Sequence, residues 1–157
     1  MTVDGLREFG LEEMDGEEID AFLSNRRWGV LGLPTGDVPY LLPLSYGFDG
    51  ADRLYFTYLR GPDSQKATLS ERADGASFLV FAVDTLYNWE SVVLEGRLTT
   101  VSESEWDGIA DILDDVWRPD VLESAADGGD IDVYAFSIDD RTGIKHQGLP
   151  PEFDPDN

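Results

Sequence analysis

Lys66 is one of only two lysines in this 157-residue chain, and its position suits a phosphate-binding group. It lies at the start of a short segment of helical character, directly after Arg60-Gly61-Pro62-Asp63-Ser64-Gln65. The first turn of a helix presents unpaired backbone N–H groups, which favour an anion. A lysine and an arginine beside that turn would complete a phosphate site. A solvent-exposed lysine is the equally simple alternative.

Two other segments place polar side chains in runs that are otherwise suited to burial. The first is Pro43-Leu44-Ser45-Tyr46-Gly47. It could line a ligand cleft, or Ser45 could bind the backbone while Tyr46 closes the end of a barrel. The second is Trp89-Glu90-Ser91-Val92-Val93-Leu94-Glu95-Gly96-Arg97. A purely structural interpretation is that the chain enters a buried strand here and leaves it again, with Trp89 in the core.

The composition excludes most chemistry by side chains alone. The chain has no cysteine, which excludes disulfides, thiolate nucleophiles and cysteine-based metal sites. Its single histidine, His146, excludes multi-histidine metal sites and makes a Ser-His-Asp triad a poor fit. We expect His146 to be an exposed residue after the last strand, and Glu90 and Glu95 to face outward. The sequence therefore predicts no catalytic side-chain constellation and no metal site.

The net charge of −22 is distributed unevenly along the chain. Residues 1–20 carry −7, residues 21–100 only −2, and residues 101–157 carry −13. Many acids and few lysines are typical of salt-loving archaea, which we expect as the source, because concentrated salt screens such charges within a few ångströms. The acidity argues against binding to nucleic acid or to an anionic membrane surface. With no apolar run long enough for a membrane span and no signal peptide, we expect a cytoplasmic protein.

Six strand-like runs are expected to position the candidate residues. Their regular turn punctuation is that of a small barrel. Prolines at positions 39 and 43 imply an edge, a bulge or a barrel corner in the second run. The runs cover residues 28–33, 38–48, 53–59, 77–83, 91–101 and 131–138.

Three helices accompany these strands, at residues 14–23, at 64–72 and after Ser102. Asp15 can cap the first helix, and Ser102 with Glu105 has the spacing of a capping box for the third. The third helix has an apolar stripe and, opposite it, an acidic face. The stripe consists of Trp106, Ile109, Leu113, Val116 and Trp117, and the acidic face of Asp107, Asp111, Asp114 and Asp115.

In order and spacing, these segments resemble the pyridoxamine 5′-phosphate oxidase-like family of FMN-binding split barrels, in particular its small members related to the nitroimidazole-resistance flavoproteins. The resemblance spans roughly residues 15–115. It implies a mainly β (α+β) fold, a six-stranded antiparallel split β-barrel with flanking helices. Family members are usually homodimers that bind two FMN molecules at the subunit interface. We therefore expect one FMN-binding domain over residues 1–148 and an irregular acidic tail over 149–157. The matching segments are residues 28–33, 38–46, 54–57, 66–69 and 89–97.

The resemblance also implies a set of cofactor-binding residues on three strands and one helix. It implies no dedicated catalytic acid or base. The set consists of Lys66 for the phosphate, Thr57 and Tyr58 beside the phosphate and flavin, Leu44, Ser45 and Tyr46 along the isoalloxazine ring, and Trp89 and Ser91 on the other side of the cleft.

We accordingly expect an FMN-dependent oxidoreductase that acts on a small molecule, with a second copy of the chain as its partner. The arginine-containing C-terminal segment of true pyridoxine phosphate oxidases is not visible, so we do not expect oxidation of pyridoxamine phosphate. Three alternatives stay open. They are an FMN storage or sensing module, a related enzyme that uses a deazaflavin, and an acidic protein that docks on a basic partner.

Overall fold

The computed structural model describes residues 10–59, 75–114 and 131–148. Within these ranges eight strands form one antiparallel sheet, accompanied by two α-helices and a 3-10 helix. The strands are β1 (Leu11–Glu13), β2 (Trp28–Leu33), β3 (Tyr40–Ser45), β4 (Gly47–Phe48), β5 (Arg53–Leu59), β6 (Ala76–Thr85), β7 (Asn88–Val101) and β8 (Ile131–Gln147). The α-helices are α1 (Gly16–Ser24) and α2 (Ala110–Asp114), the second preceded by a 3-10 helix at Glu103–Ile109.

The sheet curls into a half-barrel, which confirms the split-barrel α+β fold. Its strand order is β3-β2-β6-β7-β8-β5-β4, with β1 added to β8. β3 and β4 lie at the two ends of this order although only Tyr46 separates them in the chain. The run at 38–48 is therefore two strands joined at a corner, which is one of the three features that the prolines predicted. Pro43 lies in β3, which is at the end of the strand order and pairs with β2. Because an edge strand has no second neighbour, the missing N–H of the proline breaks no hydrogen bond to another strand.

β8 extends nine residues beyond the end that the sequence predicts, Ile138, and reaches Gln147. It pairs with β7 along the whole length of that strand, from Val101 opposite Val133 to Asn88 opposite Gln147. A bulge between Glu95 and Gly96 adjusts the register. The expectation that His146 lies in an exposed tail is therefore wrong, because the residue is part of this long ladder.

Helix α1 forms as its sequence predicts. The Glu18 N–H donates to the Asp15 carboxylate at 2.8 Å, so Asp15 is the N-cap. The apolar stripe of Ile19, Phe22 and Leu23 is buried. The Glu18 side chain makes an ion pair with Lys145 of β8 rather than returning to the cap. The helix is thus held on the sheet by apolar contacts and by charge.

The segment after Ser102 does not form the expected capping box. The Ser102 hydroxyl lies 3.0 Å from the Ser104 hydroxyl and makes no cap bond, while the Glu105 N–H donates to the Ser102 carbonyl at 2.9 Å. That i→i+3 bond starts a 3-10 helix instead of an α-helix. Trp106 and Leu113 of the predicted stripe still pack against the sheet. The helix expected at 64–72, with Lys66, and the tail at 149–157 lie outside the described residues.

Two clusters of buried side chains hold these elements together. The larger fills the half-barrel and is centred on Phe78, whose ring lies 5.5 Å from Tyr46 and 5.0 Å from Phe56 between centroids. The smaller lies under α2 and includes Tyr55 and Leu113. No helix in the three described ranges is long and apolar enough to cross a membrane.

Candidate functional site

The corner between β3 and β4 brings the first group of candidate residues together. Tyr46 and Phe56 touch the same Phe78 ring, so the end of β3 lies beside the part of β5 that carries Thr57. Thr57 is half-buried and lies opposite Val133 of β8. Tyr58 continues β5, and its side chain, like Lys66, lies outside what the structure describes.

Tyr46 belongs to the core rather than to an open cleft. Its side chain is 1% exposed, and its hydroxyl donates to the Leu23 carbonyl at 2.8 Å. Burial raises the pKa of the phenol far above its usual range, and the charge of Arg26 opposes that shift only partly. Leu44 also points into the core. These two residues could therefore meet a ligand only through their backbone or by shaping the corner.

Ser45 points to the other side of the sheet. It lies opposite Trp28, and Pro43 lies opposite Val30, so alternation puts all four on the outer face. Ser45 itself is almost fully buried, whereas the adjacent Trp28 side chain is half exposed. Ser45 is therefore the corner residue whose side chain lies toward an exposed aromatic group.

Trp89 and Ser91 lie on the same outer face but across the sheet. Ser91 is opposite Phe81, and Trp89 is opposite Val83. The strand order places β2 and β6 between Ser45 and Ser91. Three strand spacings correspond to about 14 Å. One chain thus brings the corner residues together and leaves Trp89 and Ser91 at a distance from them.

An uncharged surface extends from Trp28, beside the corner, to Trp89 and Ser91, and we call it the apolar face. Its exposed members include Trp28 (51%), Phe81 (53%) and Val83 (63%). The apolar face consists of Trp28, Val30, Leu79, Phe81, Val83, Trp89, Ser91 and Val93. Neither Trp28 nor Phe81 was predicted from the sequence to be a site residue. The continuous apolar run at 78–83 could have identified Phe81. A strand with apolar residues on both faces is usually covered on both faces, so the outward residues of such a strand are candidates for a binding surface.

His146 adds an aromatic contact at one end of the apolar face. Its ring lies 6.3 Å from the Trp89 ring at an interplanar angle of 24°, and 6.0 Å from the Tyr87 ring. Its Nδ1 is 2.8 Å from the Tyr87 carbonyl oxygen. Gly10, at φ +88°, passes so close that a Cβ there would lie 3.1 Å from the imidazole Nε2. The single histidine is therefore held from three sides.

The two strand glutamates differ in their surroundings. Glu95 is exposed on the outer face opposite Ser77, as expected. Glu90 is half-buried and lies opposite Lys145, on the face that α1 covers, so the outward prediction is wrong for it. The ion pair with Glu18 raises the pKa of Lys145. No group of three metal-binding side chains occurs within the described ranges.

An open recess of about 600 Å³ lies beside the apolar face, at the β2–β3 turn. It is large enough for a small molecule. Apolar side chains line one wall, and the ion pair between Arg97 and Asp139, at 3.3 Å, lies at the other. The recess therefore extends the concave surface next to the apolar face.

The comparisons with known proteins agree with this architecture. The family model for pyridoxamine 5′-phosphate oxidase matches residues 15–145. No curated protein is significantly similar to the chain.

Several solved structures share the fold at low sequence identity. A FAD-binding protein from Mesorhizobium loti is 21% identical, with a TM-score of 0.67, and the match covers 88% of this chain and 98% of that one. A FAD and heme binding protein from Mycobacterium smegmatis is 16% identical, with a TM-score of 0.69, over 94% and 77% of the two chains. A candidate 5-nitroimidazole antibiotic resistance protein from Bacteroides thetaiotaomicron is 17% identical, with a TM-score of 0.64, over 87% and 89%. Since the family model matches most of its length, this chain belongs to the pyridoxamine 5′-phosphate oxidase family.

Proposed function

We propose that this protein binds FMN in a cleft between two copies of the chain and uses it to oxidise or reduce a small molecule. The observation that carries the proposal is the apolar face beside the β3–β4 corner. In a chain of net charge −22, this surface presents exposed aromatic rings and no charged side chain. Such a surface suits a flat aromatic cofactor and a second copy of the chain.

The residues at the corner fit the parts of a flavin nucleotide. Ser45 and Thr57 carry hydroxyl groups, and Trp28, opposite Ser45, carries an aromatic ring. Lys66, which follows β5 in the chain, would bind the phosphate as a point charge. When bound, the flavin supplies the redox chemistry, and the chain binds it, orients it and keeps water from one side.

A second copy of the chain would complete the cleft. Trp89 and Ser91 lie about 14 Å across the sheet from Ser45. This distance is too large for Ser45 and Trp89 of one chain to contact the same flavin ring from the same side. If two apolar faces meet, the partner's Trp89 can approach the corner of the first chain. The homodimer would also cover side chains that are otherwise left in water, such as Phe81.

The choice of FMN rests on the resemblance, and solved relatives leave room for a larger flavin. The similar structures from Mesorhizobium loti and Mycobacterium smegmatis are described as FAD-binding. We propose FMN for this chain, a place near the nitroimidazole-resistance branch of the family, a single domain over residues 1–148 and a salt-adapted cytoplasmic protein.

The cofactor is tested by purifying the chain in concentrated KCl, recording its visible absorption spectrum, and identifying any released cofactor by mass spectrometry. We expect flavin absorption and FMN. If FAD or a deazaflavin is released, the proposed binding site stands and the identity of the cofactor changes. No flavin absorption and no uptake of added FMN or FAD would overturn the proposal.

The phosphate site is tested with the two lysines of the chain as a matched pair. Lys66→Ala should weaken FMN binding while leaving the fold intact, and Lys145→Ala should leave FMN binding unchanged because Lys145 binds Glu18 on the face opposite the cleft. Binding is measured by fluorescence titration of FMN, and the fold by circular dichroism. Wild-type affinity in Lys66→Ala would contradict the assignment of Lys66.

Turnover is tested separately from binding. Stopped-flow mixing of the flavin-loaded protein with NADH or NADPH, followed by small-molecule acceptors, should show reduction and then reoxidation. A flavin that is bound but never reduced would favour the storage or sensing module.

A further inference from the structure

The floor of the recess beside the apolar face is made of small residues. Gly32 of β2 and Ser77 of β6 lie opposite each other there, and Gly75 directly precedes β6. A Cβ placed at Gly32 would lie 3.6 Å from the Leu41 Cδ2 and 3.7 Å from the Ser77 carbonyl oxygen, which is ordinary van der Waals contact. The strands would therefore accept a larger residue at position 32. The glycine leaves open a space that the packing of the sheet does not require to be open.

A β-bulge builds one wall of the recess. Asp139 of β8 is the extra residue between the pairs that Glu95 and Gly96 of β7 make with β8. A Cβ at Gly96 would collide with the Ser137 carbonyl oxygen, so the bulge needs a glycine at this position. Bulges redirect side chains and are frequent beside functional sites. Here the bulged Asp139 faces Arg97, with the Arg97 Nε 3.3 Å from the Asp139 Oδ2.

This ion pair presents a hydrogen-bond donor and an acceptor side by side. A guanidinium has several N–H donors and a carboxylate has two acceptor oxygens, so both groups can bind a further partner. The side chains of Arg97 and Asp139 are 72% and 55% exposed, which leaves them within reach of a ligand. A primary carboxamide carries an acceptor next to a donor and can bind both. A carboxylate would be repelled by Asp139, and an ammonium group by Arg97.

The wall on the other side of the recess is apolar. Pro34 and Pro39 belong to the β2–β3 turn, and the Leu41 side chain is 67% exposed. A flat hydrocarbon ring that covers these side chains removes apolar area from water, which favours binding. The volume of about 600 Å³ is sufficient for such a ring together with its polar group.

We propose that the recess binds small molecules in which a flat apolar ring carries a neutral donor–acceptor group of the carboxamide type. The floor of the recess continues the apolar face, because the pair Gly32–Ser77 follows the pair Val30–Leu79 on the same two strands. A molecule in the recess is therefore the substrate of the flavin, a step that rests on the proposed function.

The test compares three probes with the same ring, namely benzamide, benzoate and benzylamine, at neutral pH. Each is titrated into the flavin-free chain in concentrated KCl, and binding is followed by the backbone amide NMR signals of Gly32, Ser77 and Gly96. We expect saturable shifts of these signals with benzamide. The two charged probes should bind at least about fivefold more weakly, since each loses one hydrogen bond to the ion pair. No saturable shift with benzamide, or equal affinity for the three probes, would overturn the proposal.

Two variants test the shape of the recess and its polar recognition separately. Gly32→Val fills the floor and should abolish benzamide binding, whereas Gly108→Val puts the same side chain into open space on the 3-10 helix and should not. Asp139→Asn removes the charge that repels benzoate and should reduce the preference for benzamide over benzoate about threefold. Circular dichroism checks that each variant folds. Benzamide binding to a folded Gly32→Val chain, or an unchanged preference in Asp139→Asn, would contradict the proposed site.

The substrate role is tested on the FMN-loaded chain. Saturating benzamide should change the visible absorption of the bound flavin, because the recess adjoins the proposed cleft. An unchanged flavin spectrum would overturn the substrate role. A chain that binds benzamide but takes up neither FMN nor FAD would overturn the proposed function and, with it, the substrate role, while supporting the recess as a ligand site.

Discussion

The apolar face and the acidic helical surface of this protein divide its charge very unequally. The apolar face presents Trp28, Phe81 and Val83 to solvent without a single charged side chain. The described part of the helical surface carries five exposed acids between Ser102 and Asp114. These acids are Glu103, Glu105, Asp107, Asp111 and Asp114. The net charge of −22 therefore belongs to the rest of the surface, and under the proposed function the lack of charge on the apolar face lowers the free-energy cost of desolvating it.

A third region shows where the scarce positive charges are used. Arg141 and Lys145 of β8 bind Asp20 and Glu18 of α1, and Arg141 also donates to the Ala51 carbonyl at 2.9 Å. Both cationic side chains are mostly covered. In this region the acids Asp20 and Glu18 lie against the sheet, and each forms an ion pair with a cation of β8. On the outer helical surface they are solvated and need no partner.

An acid placed on the apolar face should have the largest effect. Phe81→Glu should separate the proposed dimer, raising its dissociation constant at least a hundredfold, since burying an unpaired carboxylate costs about 3 kcal/mol or more. Sedimentation velocity in concentrated KCl measures the association state. Ala110→Glu puts the same acid on the helical surface and serves as the control. A monomeric wild type would contradict the proposed cleft.

A substitution in the core beneath the β3–β4 corner should have a smaller effect. Tyr46→Phe removes the bond to the Leu23 carbonyl and should lower the free energy of unfolding by about 1.5 kcal/mol. Because burial raises the pKa of this phenol, the unfolded chain releases its proton above about pH 10 while the folded chain retains it. Stability should therefore fall as the pH rises past about 10.

Denaturant unfolding of the wild type and Tyr46→Phe at neutral and alkaline pH measures both effects. The wild type should lose more stability than Tyr46→Phe across the alkaline range. An equal loss in the two proteins would mean that the Tyr46 phenol is not protected from ionisation.

Removing a cation from the contact between α1 and β8 should lower the free energy of unfolding by less. Lys145→Met keeps most of the aliphatic stem but deletes the ion pairs with Glu18 and Glu12, and should cost about 1 kcal/mol. The pKa of Lys145 is raised, mainly by its bond to Glu18, so this contribution is present at neutral pH and is lost above about pH 10.5. Unfolding curves of Lys145→Met and Lys145→Arg test it. Arginine should retain most of the stability, and an equal loss in both variants would argue against the ion pairs.

The smallest effect is expected on the helical surface. Asp111→Asn removes one charge from a repelling set and should stabilise the protein by a few tenths of a kcal/mol in dilute salt. In concentrated KCl the gain should vanish. Asp49→Asn is the contrasting variant, because one Asp49 oxygen accepts N–H bonds from residues 51, 52 and 53. It should destabilise the chain at both salt concentrations, and a loss of stability in Asp111→Asn would show that this acid also has a structural role.

Local signals in the sequence were sufficient for much of the fold. Asp15 caps α1 through a bond three residues away, and the stripe of Ile19, Phe22 and Leu23 is buried as its spacing requires. Apolar runs with regular turns predicted a small barrel, and the prolines predicted an edge, a bulge or a corner somewhere in the run at 38–48. These features depend on neighbours a few residues apart, which the chain brings together wherever it folds.

Candidate site residues could be named from the sequence only through the family resemblance. The resemblance named Ser45 and Ser91, which lie on the apolar face or at its edge, and also Leu44 and Tyr46, whose side chains the barrel corner turns into the core. Side-chain direction at a strand end depends on where the chain bends, and no local pattern indicates that the bend is at Tyr46.

The sequence by itself determined the class of the protein: a mainly β domain with a first helix capped by Asp15, a strongly acidic composition and no cysteine. The tertiary structure decided how far β8 extends, where the corner lies, and that Trp89, Tyr87 and His146 meet. The physical reason is that β-strand pairing depends on partners distant in the chain. The polar segment after Ile138 is a strand because β7 lies beside it.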